Sequence, residues 1–194
     1  MRRAATVSRR LANTIGFDDA PFARDESEPV RIVGAVFAGS RFDGVLTGSL
    51  QKDGDDATDV IAELVARSRF AEHVQVVLLQ GITFGGFNVV DLSGLHRRLD
   101  RPVVVVTRRP PKLAAVRNAL LTRIPDGAHK WALIESAGPM ERVGGVYLQR
   151  AGLSTAQAAT LLERLAIHSL VPEPLRVAHL IAGGLGHGAS RGRV

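Results

Sequence analysis

Apolar and polar positions repeat along this chain with two periods, and the switches between them mark its elements. Ile15 to Phe22 opens as a short strand, ends at the paired carboxylates Asp18-Asp19, and is broken by Pro21. After a polar loop over Ala23–Pro29, Val30–Phe37 and Val45–Gln51 read as two strands of a hairpin turning across Gly39 to Gly44. Val60, Ile61, Leu64 and Val65 then recur at helical spacing, which predicts a helix running to about Arg69. Val74–Leu79 and Pro102–Thr107 are nearly continuous apolar runs, as expected of central parallel strands buried on both faces. Between them lie a glycine-rich loop, Gly81–Gly86, and a short helix over Phe87–Leu99 with Asp91 inside it. Lys112–Leu121 reads as a helix, and Trp131–Glu135 and Gly145–Gln149 as short strands. Thr155–Leu170 is an amphipathic helix begun by Ser154 as N-cap, broken by Pro172-Glu173-Pro174. Leu175–Leu185 forms a last helix before a Gly/Arg/Ser tail over Gly186–Val194.

This order (strand, hairpin, helix, then alternating strand and helix) predicts a mixed-sheet α/β fold flanked by helices and not an all-parallel Rossmann sheet. No repeat, heptad or linker divides the chain. We expect a basic N-terminal arm over residues 1–14 and a single domain over 15–194.

Composition narrows the chemistry. The 194 residues include no Cys, which excludes a disulfide scaffold, a thiolate zinc site and a Cys nucleophile. No apolar run approaches the roughly 18 residues of a membrane helix. Arg2, Arg3, Arg9 and Arg10 are not followed by the apolar core of a signal peptide, so a cytoplasmic protein without membrane contact is expected. The net charge is +6, and 22 of the 25 basic residues are Arg, whose guanidinium forks suit phosphate. A GC-rich genome produces the same bias, so the charge permits a nucleic-acid partner without requiring one. Nine aromatic residues are too few for an extended base-stacking platform.

The acidic residues are the most informative. Asp18 and Asp19 end the first strand, and Asp53, Asp55, Asp56 and Asp59 crowd the start of the first long helix. Adjacent carboxylates on a strand point to opposite faces, so at most one of Asp18 and Asp19 is expected to aim into a given site. Carboxylates converging without His or Cys make a hard-oxygen site for Mg²⁺ or Mn²⁺. The second cluster reads equally well as a solvated turn whose acids favour the helix dipole. Among six His, those at 73, 96, 129 and 187 read as solvated, and His168 as a helix C-terminal dipole partner. His179 follows the rigid Pro172-Glu173-Pro174 and leads an apolar helix, either as a functional group or as a core histidine. Gly81-x3-Gly85-Gly86 is neither a P-loop nor G-x-G-x-x-G, and no G-x-S-x-G elbow is present.

Four segments together carry a resemblance. They are Gly16-Phe17-Asp18-Asp19-Ala20-Pro21-Phe22, Asp53-Gly54-Asp55-Asp56-Ala57-Thr58, Gly81-Ile82-Thr83-Phe84-Gly85-Gly86-Phe87-Asn88-Val89-Val90-Asp91, and Pro172-Glu173-Pro174-Leu175-Arg176-Val177-Ala178-His179. From about Ile15 onward the chain resembles domain-of-unknown-function family ninety-nine, some members of which carry the name endonuclease dU. That family is similar to endonuclease V, which implies an RNase H-like fold.

The resemblance also implies roles. Asp18 or Asp19 takes the place of the metal-holding acid of strand one, Asp56 or Asp55 that of the helix-side acid, and His179 that of the late histidine. At the metal-holding Asp of the central strand this chain carries Gln80, whose amide oxygen can ligate a hard cation but brings no charge. The implied catalytic set is Asp18, Asp56 and His179, and the implied metal set Asp18, Asp19, Asp56 and Gln80, holding Mg or Mn. Thr83, Gly85, Gly86, Asn88, Asp91 and Arg176 are the candidate substrate contacts, with Arg108, Arg109 and Arg191 as further phosphate contacts. The function this points to is a metal-dependent endonuclease on damaged DNA, with deoxyuridine-containing DNA as the candidate substrate. A non-catalytic nucleic-acid binding module and an enzyme on a small phosphorylated ligand are the alternatives.

Overall fold

The computed structural model describes residues 11–23 and 28–190. Most of the expected arm, and Arg191 with the end of the tail, lie outside the described residues. Nine strands and six helices are assigned among them. They are β1 (Asn13–Asp19), β2 (Val30–Ala38), β3 (Arg41–Leu50), α1 (Ala57–Ala66), β4 (Val76–Gln80), β5 (Thr83–Phe84), β6 (Asn88–Val89), α2 (Leu92–Leu99), β7 (Val103–Thr107), α3 (Leu113–Arg123), α4 (Gly127–Ser136), β8 (Glu141–Val143), β9 (Val146–Ala151), α5 (Thr155–Leu165) and α6 (Glu173–His187).

Seven strands form one mixed sheet in the order β3-β2-β1-β4-β7-β9-β8. The β1–β2–β3 meander is antiparallel, β1–β4–β7 is parallel, and β9 returns antiparallel to β7. The Val-rich runs occupy the centre because only there are both faces covered. Val77, Leu79, Val103 and Val105 face one core with Ile61, Val65 and Leu95; Val76, Leu78, Val104 and Val106 face the other with Leu161, Leu162 and Leu165. Helix α6 lies on the second side against Val33 and Ala35 through Ala178 and Ala182.

Three expectations are corrected. The segment Trp131–Glu135 is not a strand but the middle of α4. Its short apolar run fits either period, and Trp131 and Ile134 meet the core at the i, i+3 spacing of a helix. The helix expected over Phe87–Leu99 starts at Leu92, because Asn88-Val89 pairs back onto Thr83-Phe84 as a small hairpin. Asp91 is therefore the N-cap of α2, accepting from Gly94 N at 2.8 Å. Helix α5 stops at Leu165, five residues before the expected end, and Ser154 caps it with Gln157 as a capping box.

Gly16 sets how closely α6 approaches β1. A Cβ at Gly16 would stand 2.5 Å from the carbonyl carbon of Pro174 and 2.7 Å from Leu175 N. Both contacts are backbone, so the helix start would have to move. Gly16→Ala is expected to destabilise the protein by about 1–3 kcal/mol through overpacking, measured by denaturant titration. Wild-type stability in that variant would show that the contact yields.

Candidate active site

The site lies at the carboxyl end of β1, where the chain leaves the sheet under α6. Asp18 is buried, at 5% exposure. Its Oδ2 accepts from His179 Nδ1 at 2.8 Å, and its Oδ1 accepts from the backbone N–H of Asp19 at 3.0 Å. The His179 side chain remains 42% exposed, so a half-open imidazole is held by a closed carboxylate. That hydrogen bond, with the charges of Asp18 and Asp19, raises the His179 pKa against the opposing effect of burial. The Nδ1–H bond leaves Nε2 for the adjoining concavity, about 300 Å³ in volume, which Asp18, Asp19, Pro21, Phe22, His179 and His187 help to line.

Against the alternation expected of a strand, Asp19, the last residue of β1, lines the same concavity as Asp18. Its Oδ2 accepts from Gly85 N at 2.7 Å. Burial and the neighbouring Asp18 charge push its pKa up to about 6, although the Gly85 bond works the other way. Gln80 ends β4 beside β1. The parallel register pairs Phe17 with Leu79, so the next step sets Asp18 beside Gln80, with both side chains on the α6 face. Gln80 Oε1 is buried with no hydrogen-bond partner. A buried amide oxygen without a partner is costly, and an absent ligand is one explanation for it.

The other candidates are placed elsewhere. The Asp56 carboxylate accepts from Gln51 N at 3.1 and 3.2 Å and from Asn88 Nδ2 at 2.6 Å. Asn88 is fully buried; its Oδ1 accepts from Ala57 N at 2.9 Å and its Nδ2 also donates to Gln51 O at 2.9 Å. Both residues thus fasten the start of α1 to β3 and β6, and neither lines the concavity. Asn88→Ala is expected to cost about 2 kcal/mol, because the Ala57 N–H and the Gln51 carbonyl lose their buried partner. Thermal unfolding measures it, and a shift under one degree would rule out this bracing role.

Gly85 and Gly86 adopt positive φ of 51° and 93°. The loop they form is tied to Asp53, whose N donates to Gly85 O at 2.8 Å and whose Oδ1 accepts from Phe87 N at 2.7 Å. Their conformation therefore serves the Asp19 contact first. Thr83 lies in the small hairpin with Asn88. Asp91 is an N-cap and, 3.9 Å from Arg97, also half of an ion pair. Arg176 forms a two-pronged pair with buried Glu173. Asp59 pairs with Arg98, so this acid of the second cluster also serves the α1–α2 contact.

His187 is exposed, as expected of a solvated histidine, and α6 continues through it to the edge of the concavity. The spacing His179, Gly183, His187 along one side of a helix is the signal for it. Among the described residues, no group of three or more His, Asp or Glu gathers as a metal cage. The oxygen donors available at this end of the sheet are the Asp18 and Asp19 carboxylates and the orphaned Gln80 Oε1. That set suits a hard cation and carries one charge fewer than a three-carboxylate site. No helix among the described residues is long and apolar enough to cross a membrane.

The family model described as endonuclease dU matches residues 10–186. The UPF0215 protein of Deinococcus radiodurans is 53% identical over 184 residues, covering 95% of this chain and 94% of that protein. The crystal structure of a protein of unknown function from Archaeoglobus fulgidus superposes with a TM-score of 0.85 at 36% identity, covering 91% of this chain and 99% of that one. Endonuclease V of Ciona intestinalis, solved with a 24mer DNA containing an inosine followed by a ribo-adenosine, superposes with a TM-score of 0.54 at 11% identity, covering 91% and 92%. Bacillus subtilis endonuclease V gives 0.58 at 12% identity, covering 93% and 88%. The fold is the RNase H-like α/β fold of endonuclease V, as the resemblance implied.

Proposed function

Because this chain belongs to the endonuclease dU family, we propose that it is a metal-dependent endonuclease acting on damaged DNA, with deoxyuridine-containing DNA as its substrate. The observation that carries this reading is the Asp18–His179 pair, closed on the carboxylate side and open on the imidazole side, next to an amide oxygen lacking a partner. Its endonuclease V neighbours include one solved on inosine-containing DNA, which supports a DNA substrate.

The residues fit a hard divalent cation, Mg²⁺ or Mn²⁺. Asp18, Asp19 and Gln80 Oε1 would hold it. When bound, such an ion polarises the scissile phosphate and makes a water nucleophilic at neutral pH. The chain's own groups supply the rest. Asp18 fixes the imidazole ring through Nδ1 and keeps it protonated to higher pH than an isolated histidine. His179 Nε2–H then faces the reacting phosphate and gives its proton to the departing O3′ as the P–O3′ bond breaks. Water supplies the new oxygen on phosphorus, so the products are a 3′-hydroxyl and a 5′-phosphate. Asp19 is held to one side by the Gly85 amide, so its free oxygen is the one available to a ligand.

One observation favours a second reading. Gln80 is neutral where a carboxylate would strengthen cation binding, and the same fold with a weakened site would bind DNA without cutting it. A cleavage assay separates the two. End-labelled single- and double-stranded DNA, plain or with one deoxyuridine or deoxyinosine, is incubated with Mg²⁺, Mn²⁺ or EDTA. Lesion-dependent, EDTA-sensitive cuts are expected. DNA retained but never cut would establish the binding module, and neither binding nor cutting would turn attention to a small phosphorylated ligand.

A further inference from the structure

Resting on the nuclease reading but concerning a different surface, we propose that residues 108–123 form the platform that holds the phosphate backbone of the DNA beside the site. This segment contains Arg108, Arg109, Lys112, Arg117 and Arg123 and no carboxylate. It leaves the sheet at the site: Val106 is paired with Gln80 across β4 and β7, and Thr107 ends β7. Pro110-Pro111 then stiffens the backbone before α3 begins. Helix α3 packs on α4 through Leu120, its one buried residue, and leaves most of its length exposed. Its axis runs for about 16 Å, long enough to follow several phosphates of one strand.

The contrast with the other exposed helices identifies the occupant. On α1 and α2, Arg98 lies against Asp59 and Glu63, and Arg67 against Glu63. Each exposed cation there has an acid to answer it. Arg109, Lys112, Arg117 and Arg123 pair with no carboxylate among the described residues. Arg117 instead lies over the Trp131 ring, 5.9 Å from its centre, which holds its guanidinium in place. Exposed, unanswered positive charge on a helix that starts from the same carboxyl edge of the sheet as the site is complementary to a polyanion and repels a basic protein partner.

The test is the triple variant Arg109→Ala, Lys112→Ala, Arg123→Ala, with Arg142→Ala on β8 as control. Binding of fluorescent DNA, duplex and single-stranded, is followed by anisotropy across a salt series, with thermal unfolding and Mn²⁺ calorimetry on the same samples. The triple variant is expected to bind about tenfold or more weakly at moderate salt, and its slope of log affinity on log salt to fall by about 2–3, one increment per lost phosphate contact. Unfolding temperature and Mn²⁺ affinity are expected to match wild type, as is the control's DNA binding. Equal affinity and slope in the triple variant would overturn the platform and leave the nuclease reading standing. A wild-type protein that binds neither duplex nor single-stranded DNA at any salt would overturn both.

Discussion

Asp18→Asn is expected to lower lesion-dependent cleavage by about 10³-fold, because one substitution removes two contributions. The first is an oxygen charge at the end of β1. The second is one of the two oxygens that accept from His179 Nδ1 and Asp19 N, and with it the charge that holds the His179 pKa up. General acid catalysis alone is worth about 10²–10⁴. Asn keeps the volume of Asp at this buried position, so unfolding should change little, and the phosphate-binding surface is untouched. Single-turnover cleavage together with DNA anisotropy reads the two effects separately. Lost turnover with retained binding is expected; wild-type turnover would remove Asp18 from the chemistry. The same argument fixes a pH limb. With His179 as the proposed proton donor, the rate is expected to fall as pH rises through its raised pKa, above the 6.5 of an ordinary histidine. In His179→Gln that limb is expected to vanish.

Asp19→Asn carries the largest expected stability effect, and in the opposite direction. In wild type the Asp19 pKa is raised from 3.8 to about 6, mainly by burial. Between these values the unfolded chain ionises while the folded chain keeps its proton. Folding stability is therefore intact below pH 4, falls as pH rises toward 6, and stays lower above it. Two pKa units correspond to about 3 kcal/mol. The Asn variant still accepts the Gly85 N–H and avoids the buried charge. It is expected to unfold at about the wild-type temperature at pH 4 and several degrees higher at pH 7.5 in EDTA. Added Mn²⁺ should stabilise wild type more than the variant and narrow the gap. A variant no more stable than wild type at pH 7.5 would show that the Asp19 charge carries no cost.

The centre of this molecule is legible because burial on both faces leaves a mark that local preference cannot erase. Val103 to Val106 admits no reading but an inner strand. The Asp18–His179 pair was legible in outline, since a carboxylate pair before Pro21 and a histidine after Pro172-Glu173-Pro174 are unusual settings. Asp56 looked equivalent to Asp18 because sequence shows that acids cluster but not what answers them. The Gln51 amide and Asn88 answer Asp56, and Asn88 lies 32 residues away. The bond between Gly85 and Asp19 spans 66 residues and left no local signal either. Trp131–Glu135 shows the reverse failure: a local preference for strand gave way to packing in the α4 environment.

The partners at the heart of the site are 161 residues apart, and α6 supplies the second of them. A growing chain on the ribosome therefore carries Asp18 long before His179 exists. At about 5–20 residues per second, the interval is roughly ten to thirty seconds. The β1–β2–β3 meander can form early in that time, because its strands are neighbours in sequence. The Asp18–His179 pair cannot, so on the proposed function the nascent chain would leave nucleic acid around it intact until its last helix docks across Gly16.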